Sequence, residues 1–265
     1  MQETLISFDL KADFGVFKKP DVNEGLQPTF NMLHKPALLG ILGAIAGLPG
    51  YQKRGTFPVY YQELRDLKIG IQPLDHEKGN FTKTVVKYTN TVGYANADGN
   101  LIVTEQTLRK PAYRCYLLLD LDNPIQARLH DQVRAGEAEY LPYLGKNECS
   151  AWWEKEDVVD YKFFPFEMQS DFRISSLFIR DQSVRSQWVK PKFSPSARSV
   201  LNAASFLYFE RLPLMFRHDE SMKFVQYELA DFAFTDWVLQ KDSSISDLFK
   251  IQADQESEPA IIQLF

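Results

Sequence analysis

The run Pro36-Ala-Leu-Leu-Gly-Ile-Leu-Gly-Ala-Ile-Ala-Gly-Leu48 constrains this chain more than any other stretch. It is apolar throughout, opens on a proline suited to a first helical turn, and stops at Pro49-Gly50. Gly40, Gly43 and Gly47 stand three and four residues apart and so share one helix face. Three glycines in a helix interior cost about 1 kcal/mol each relative to alanine, and something must offset that cost. Close approach of another backbone to a flat face would do so, which predicts tight packing of the helix on a sheet. At about twelve residues the run falls well short of the roughly 20 needed to span a bilayer, so no membrane partner is expected. Met1-Gln-Glu-Thr carries no basic stretch ahead of an apolar run, and the chain reads as cytoplasmic.

Strands are expected on either side of that helix. Ile6, Phe8, Leu10 and Ala12 alternate with Ser7, Asp9, Lys11 and Asp13, giving a first strand over Leu5–Phe17. Leu67–Leu74 reads as a second strand. Residues 82–94 are β-prone, Ala97-Asp98-Gly99 is a turn signal, and Leu101–Thr107 returns. This hairpin bears Lys83 and Lys87 and has few core residues, so it is expected to protrude. Tyr113–Asp120 has a near-continuous apolar run suited to a central strand. Asn123 then caps a helix with Pro124 at its first position and Gly136 beyond its end. The order strand, helix, strand, hairpin, strand, helix predicts an α+β fold: a ferredoxin-like β-α-β-β-α-β body over 1–157 with an inserted hairpin. Pro142–Trp152 or the stretch after it would supply the last strand. Residues 158–265 read as a strand-rich C-terminal region packed on the body, with runs at Phe172–Arg180 and Phe206–Phe216.

Charge argues about partners only when it is read by segment. The 265 residues sum to −5, which taken alone speaks against nucleic acid. Yet residues 1–114 hold 14 Lys+Arg against 11 Asp+Glu, and the remainder holds 16 against 24. Residues 78–114 carry six cations and two anions, and 183–217 six cations with only Glu210. The segment 219–258 has ten acids and three lysines. Polyanion binding needs a local positive surface rather than a positive total. Lys83, Lys87 and Tyr88 on the hairpin, Arg109-Lys110 ahead of Pro111, and Lys18-Lys19 in the first loop make up such a surface. Cations can meet phosphates there while flat rings stack on unpaired bases.

Most catalytic chemistry leaves no trace. No Gly-x-Gly occurs, so dinucleotide and kinase glycine loops are absent, as are Walker A, Gly-x-Ser-x-Gly and His-Glu-x-x-His, and no cofactor is expected. Asp120-Leu-Asp122 puts two carboxylates on one side of a strand and would suit a metal, but a strand-to-helix capping cluster at Asn123 is the better reading. His34, His76, His130 and His218 share no ligand spacing, and His130-Asp131 and His218-Asp219 are isolated dipeptides. No metal site is expected. Cys115 and Cys149 cannot frame a disulfide scaffold and are expected buried and reduced.

Several segments nonetheless resemble one family. They are Phe14-Gly-x-Phe17-Lys-Lys-Pro20, Thr29-Phe-x-Met-x-x-Lys35-Pro36 running into the glycine helix, Gln106-Thr-Leu-Arg-Lys-Pro111-Ala-Tyr113, and Pro142-Tyr-Leu-Gly145-Lys146-Asn147-Glu148. Together they resemble the fifth Cas protein family, the RAMP subunit of CRISPR Cascade complexes, and the last is similar to the Leu-Gly-Lys-Asn motif of its type I-B branch. The likeness runs through 1–150 and is loose beyond. It implies a ferredoxin-like body with a thumb hairpin at about 78–107 and a role in antiviral defense as a non-catalytic crRNA-binding subunit. Such subunits cap the 5′ handle of crRNA and contact the Cascade backbone subunit and the large, PAM-reading subunit. Target DNA is met indirectly. Carried onto this chain, the handle would lie against Lys18, Lys19, Lys35, Arg54, Lys83, Lys87, Tyr88, Arg109, Lys110 and Lys146. The type I-C branch cuts precursor crRNA with a Tyr/Lys/His-type site, for which Tyr88, Lys87 and His34 are the matching residue types. The alternatives are thus a metal-independent endoribonuclease and an RNA-free protein–protein adaptor.

Overall fold

The computed structural model describes residues 2–22, 24–90, 101–180, 188–189, 206–218, 225–241, 245–253 and 257–265. The expected turn at Ala97-Asp98-Gly99, residues 91–94 of the outgoing hairpin strand, and most of the basic island 183–217 lie outside them, as does part of the acidic segment 219–258. The fold is mixed and mostly β, with few helices. Its main elements are β1 (Glu3–Ala12), α1 (Lys35–Ala46), α2 (Val59–Leu64), β2 (Lys68–Leu74), β3 (Lys83–Asn90), β4 (Leu101–Arg109), β5 (Ala112–Asp120), α3 (Pro124–Ala135) and β6 (Val159–Pro165). They are followed by β7 (Leu207–His218), β8 (Val225–Thr235), β9 (Leu248–Gln252) and β10 (Ala260–Gln263).

One antiparallel sheet organises the molecule, in the order β10-β9-β6-β1-β5-β2. The stretch after Pro142–Trp152 therefore supplies the strand beside β1, while Ala151–Trp152 adds a short rung at Lys11–Ala12. The side chains of Ile6, Phe8 and Leu10 on one face of β1 join Leu38, Leu42 and Ile45 of α1 and Leu129 and Val133 of α3 in the main core. The apolar set of β1 selects this face because successive strand residues point to opposite sides. Asn123 Oδ1 accepts the amides of Ile125 and Gln126, so α3 starts where its Asn-Pro signal places it.

The polar face of β1 is itself covered: Ser7 bonds Tyr161 Oη at 3.0 Å and Asp9 takes a bidentate bond from Arg114 at 2.7 and 2.8 Å. A second apolar cluster of Leu5, Tyr116, Ile251, Ile262 and Leu264 covers that side, and paired main-chain bonds join Ile69 to Phe265. The C-terminal strands supply that cover, which alternation in β1 alone cannot reveal. Two expectations are corrected. Phe172–Arg180 is mostly not a strand. Its amides and carbonyls are shared among separate partners, with Phe172 bonded to Leu239, Ser175 to Ile261 and Leu177 to Ile71, and only Phe178–Ile179 joins a ladder. Finally, the glycine face of α1 meets a helix and not the sheet. A Cβ on Gly43 would run into the Tyr60 side chain of α2, and Gly47 is the left-handed C-cap with φ 71°.

Candidate nucleic-acid interface

The hairpin β3–β4 is held at its root by the first loop. Phe14 pairs with Arg109, Gly15 with Leu108, and Leu26–Gln27 runs parallel to Thr104–Glu105. Lys110 turns the corner into β5 with φ 47°, its amide bonded to Asp13 O at 2.8 Å, and Pro111 follows. This corner sets Arg109 and Lys110, both exposed, beside the start of β3. Toward the tip the hairpin loses its core: Glu105, Thr107 and Leu108 are buried, but Val85, Val86, Leu101 and Ile102 are exposed, Ile102 by 64%.

A second root contact is ionic. Glu210 of β7 is nearly buried and accepts from Asn31 N, Met32 N and Tyr208 Oη, with Lys19 Nζ 3.1 Å away. Burial lowers the Lys83 pKa; nearby Glu210 raises it and Lys19 lowers it further. Lys19 pairs with the Glu210 carboxylate and also lies 5.0 Å from the Phe30 ring centroid. Lys18 beside them is exposed and pairs across to Thr29.

The loop carrying Gly145-Lys146 forms the third root contact. Gly145 has φ 86°, and a Cβ there would overlap the Val16 carbonyl, so glycine alone lets the loop lie this close. Lys146 Nζ donates to both oxygens of buried Glu105, at 2.6 and 2.5 Å, and to Tyr88 Oη at 3.1 Å. It also sits 5.0 Å from the Tyr88 ring centroid. Desolvation lowers the Lys146 pKa, but its bonds to Glu105 and Tyr88 outweigh this and leave it raised.

Ten residues are expected at the interface from sequence, and they divide on these contacts. Lys83, Arg109 and Lys110 are exposed side by side at the hairpin root, Lys18 is exposed on the first loop, and Lys87 and Tyr88 are exposed farther along the hairpin. Lys19 and Lys146 are at the root contacts, each neutralised by a glutamate. Arg54 is exposed on the loop after α1. Lys35 does not belong to the surface: it is buried, donates to the Phe265 main-chain oxygen at 2.9 Å, and burial lowers its pKa to about 8. Its position one residue before Pro36 gave no sign of this, because the partner is 230 residues away.

His34, one of the three residue types of a nuclease-like set, is the N-cap of α1. Its Nδ1 accepts the Ala37 amide at 3.3 Å, its ring meets Phe17, Phe30 and Tyr227 edge-on, and burial lowers its pKa to about 3. Asp120 Oδ1 accepts the Asp122 amide and Asp122 Oδ2 the Gln2 amide. Among the described residues no group of three His, Cys, Asp or Glu side chains is placed to hold a metal. Cys115 and Cys149 are buried free thiols. No described helix is long and apolar enough to cross a membrane.

Sequence reasoning missed a groove of about 670 Å³ that runs along α1 from Lys18 and Lys146 to Tyr51 and Phe216. Tyrosines 51, 60, 140, 143 and 227 line it. They come from four separate segments, and no spacing in the sequence links them. Arg211 and Arg217, both exposed on β7, were also not singled out.

No family model matches the chain, and no curated protein matches it. Solved structures do. The chain is similar to one from a CRISPR RNA-guided surveillance complex, with 14% identity, a TM-score of 0.46, and coverage of 88% of this chain and 91% of that one. It is similar to a CRISPR protein from Archaeoglobus fulgidus, with 11% identity, a TM-score of 0.47, and coverage of 98% and 99%. It is also similar to a chain of a type III-B Cmr-beta assembly bound to cognate target RNA and AMPPnP, with 11% identity, a TM-score of 0.45, and coverage of 91% and 86%. Identities of 11–14% carry no residue's role from those proteins to this one.

Proposed function

We propose that this chain is a non-catalytic, type I-B-like subunit of a CRISPR Cascade complex that caps the 5′ handle of crRNA. In this reading it also links the backbone subunit to the large PAM-reading subunit during RNA-guided DNA targeting. The observation that carries the reading is the exposure of Lys83, Arg109 and Lys110 side by side at the root of a hairpin whose outer half has no core, with exposed Lys18 on the loop that pairs with that root. Phosphate-bearing strands are attracted to such a surface whatever the total charge. The strand order supports the fold half of the reading. Taken in chain order, β1, β2, β5 and β6 lie as fourth-first-third-second, all antiparallel, with α1 and α3 packed in the same core, an order that supports a ferredoxin-like reading. The hairpin is inserted between the second and third of them, where a RAMP thumb would be. The body of 1–157 then borrows its fourth strand, β6, from the start of the C-terminal region 158–265.

The burial and capping bond of His34 favour a non-catalytic subunit, since its ring nitrogen is committed to a backbone amide. Reversing charge at Lys83, Lys87 and Arg109 together should weaken handle binding and reduce the slope of log affinity against log salt by roughly 2, three contacts at about 0.7 each for single strands. Unchanged affinity of that variant across a salt series would refute the site. Cleavage of repeat RNA by the isolated protein in EDTA would instead favour the endoribonuclease, and assembly with its neighbours free of RNA would favour the adaptor.

A further inference from the structure

The groove along α1 has a chemistry of its own. The small residues Ala37, Gly40 and Ala44 of α1 line it together with Pro36 and Ile41. Tyr51 and Tyr60 line it from the chain's first half, and Tyr140 and Tyr143 join them from the loop after α3. The Tyr51 and Tyr60 phenols are protonated at neutral pH and can donate. At one end are Lys18 and Lys146, and no acidic residue is among the described residues that line it. A cationic ligand would find no countercharge here, and a purely apolar one would leave the lysines and hydroxyls unused. A flat ring carrying a phosphate uses all of them: the ring against tyrosine faces, the phosphate toward Lys18. The volume, about 670 Å³, falls in the usual range for small-molecule sites.

We propose that this groove is a nucleobase pocket that takes one unpaired nucleotide out of a bound RNA strand. The proposal rests on the RNA-binding reading above and extends it from phosphate contacts to a base site. Lys146 joins the two, since it lines the groove and also bonds Glu105 and Tyr88 of the hairpin. A nucleotide phosphate at that end competes with Glu105 for the same ammonium group.

The test titrates the full chain with adenosine 5′-monophosphate and with ribose 5-phosphate, followed by NMR. The nucleotide should saturate at a concentration about tenfold lower or better, because only it has a ring to stack. Tyr51 and Tyr143 are 61% and 41% exposed, so the double variant Tyr51→Ala/Tyr143→Ala should fold, and it should lose that advantage. Tyr51→Phe/Tyr143→Phe keeps the rings and should keep most of it, and Phe164→Ala, an exposed ring on β6 away from groove and hairpin, should bind the nucleotide as wild type does. Equal binding of the two probes, or full nucleotide affinity in the double alanine variant, overturns the pocket. A single-stranded oligoribonucleotide separates the two readings. Failure of wild type to bind it at low salt while adenosine monophosphate still saturates overturns the RNA reading and assigns the pocket to a free nucleotide.

Discussion

Lys146 closes on Glu105, an ammonium group set between two carboxylate oxygens that are almost wholly buried in the return strand of the hairpin. The two residues are 41 positions apart, and their bond is the main ionic tie between the Gly145 loop and the hairpin. Lys146→Ala would leave Glu105 as an unpaired carboxylate in a place water barely reaches. Loss of about 2–3 kcal/mol is expected, less than for a fully buried pair because Lys146 keeps some solvent contact. Urea denaturation measures it, and Glu105→Gln on the same background should restore much of the loss. A midpoint unmoved by Lys146→Ala would show that the pair contributes nothing to stability.

Helix packing makes two neighbouring glycines respond differently. At Gly43 an added methyl would collide with the base of the Tyr60 side chain, which cannot move without its own backbone. Gly43→Ala should therefore destabilise by about 1–3 kcal/mol. At Gly40 the nearest Tyr60 atoms stand 3.7 Å away, an ordinary contact, so Gly40→Ala should gain up to about 1 kcal/mol from helix propensity. Thermal melting of the two variants checks the pair, and equal melting shifts would contradict the packing described.

Stability should depend on pH through His34. Burial holds its pKa near 3, against about 6.5 in an unfolded chain. Between those values the unfolded state binds a proton that the folded state does not. Its stabilising effect is therefore complete above pH 6.5 and declines as pH falls toward 3, by up to about 1.4 kcal/mol per pH unit. Asparagine can take over the helix cap without titrating, so His34→Asn should flatten the pH dependence in that window. Parallel stability curves for the two proteins would rule His34 out as the source.

The lysines should separate in RNA binding as they do in burial. Lys35→Met should leave RNA affinity unchanged, since that side chain faces Phe265 and not solvent. Lys87→Glu, on the exposed hairpin, should weaken binding and lower the salt slope. Filter binding over a salt series compares them; equal losses would mean that the hairpin is not the contact surface.

Local signals made much of the body legible. The Asn123-Pro124 start and Gly136 end of α3, the Pro36 start of α1, and the apolar run of β5 each act within a few residues, and the helices and strand lie where those signals put them. The hairpin was legible because two β-prone runs flank a turn signal and carry Lys83 and Lys87. What the linear pattern could not carry was the identity of partners. Lys35 and Lys83 look alike in sequence, yet one is spent on a backbone oxygen 230 residues away. The partners of Ser7 and Asp9, Tyr161 and Arg114, lie 154 and 105 residues away.

The sequence by itself determined where α1, α3, β2, β5 and the hairpin strands lie, and that positive charge gathers in the hairpin region, because periodicity, caps and local composition are properties of neighbours along the chain. Only the tertiary structure decided which cations remain available, which face of the glycine helix is covered and by what, and that five tyrosines line one groove. Those outcomes depend on pairs of residues far apart in sequence, where burial and charge compensation are fixed by the sheet closing on itself and not by any single segment.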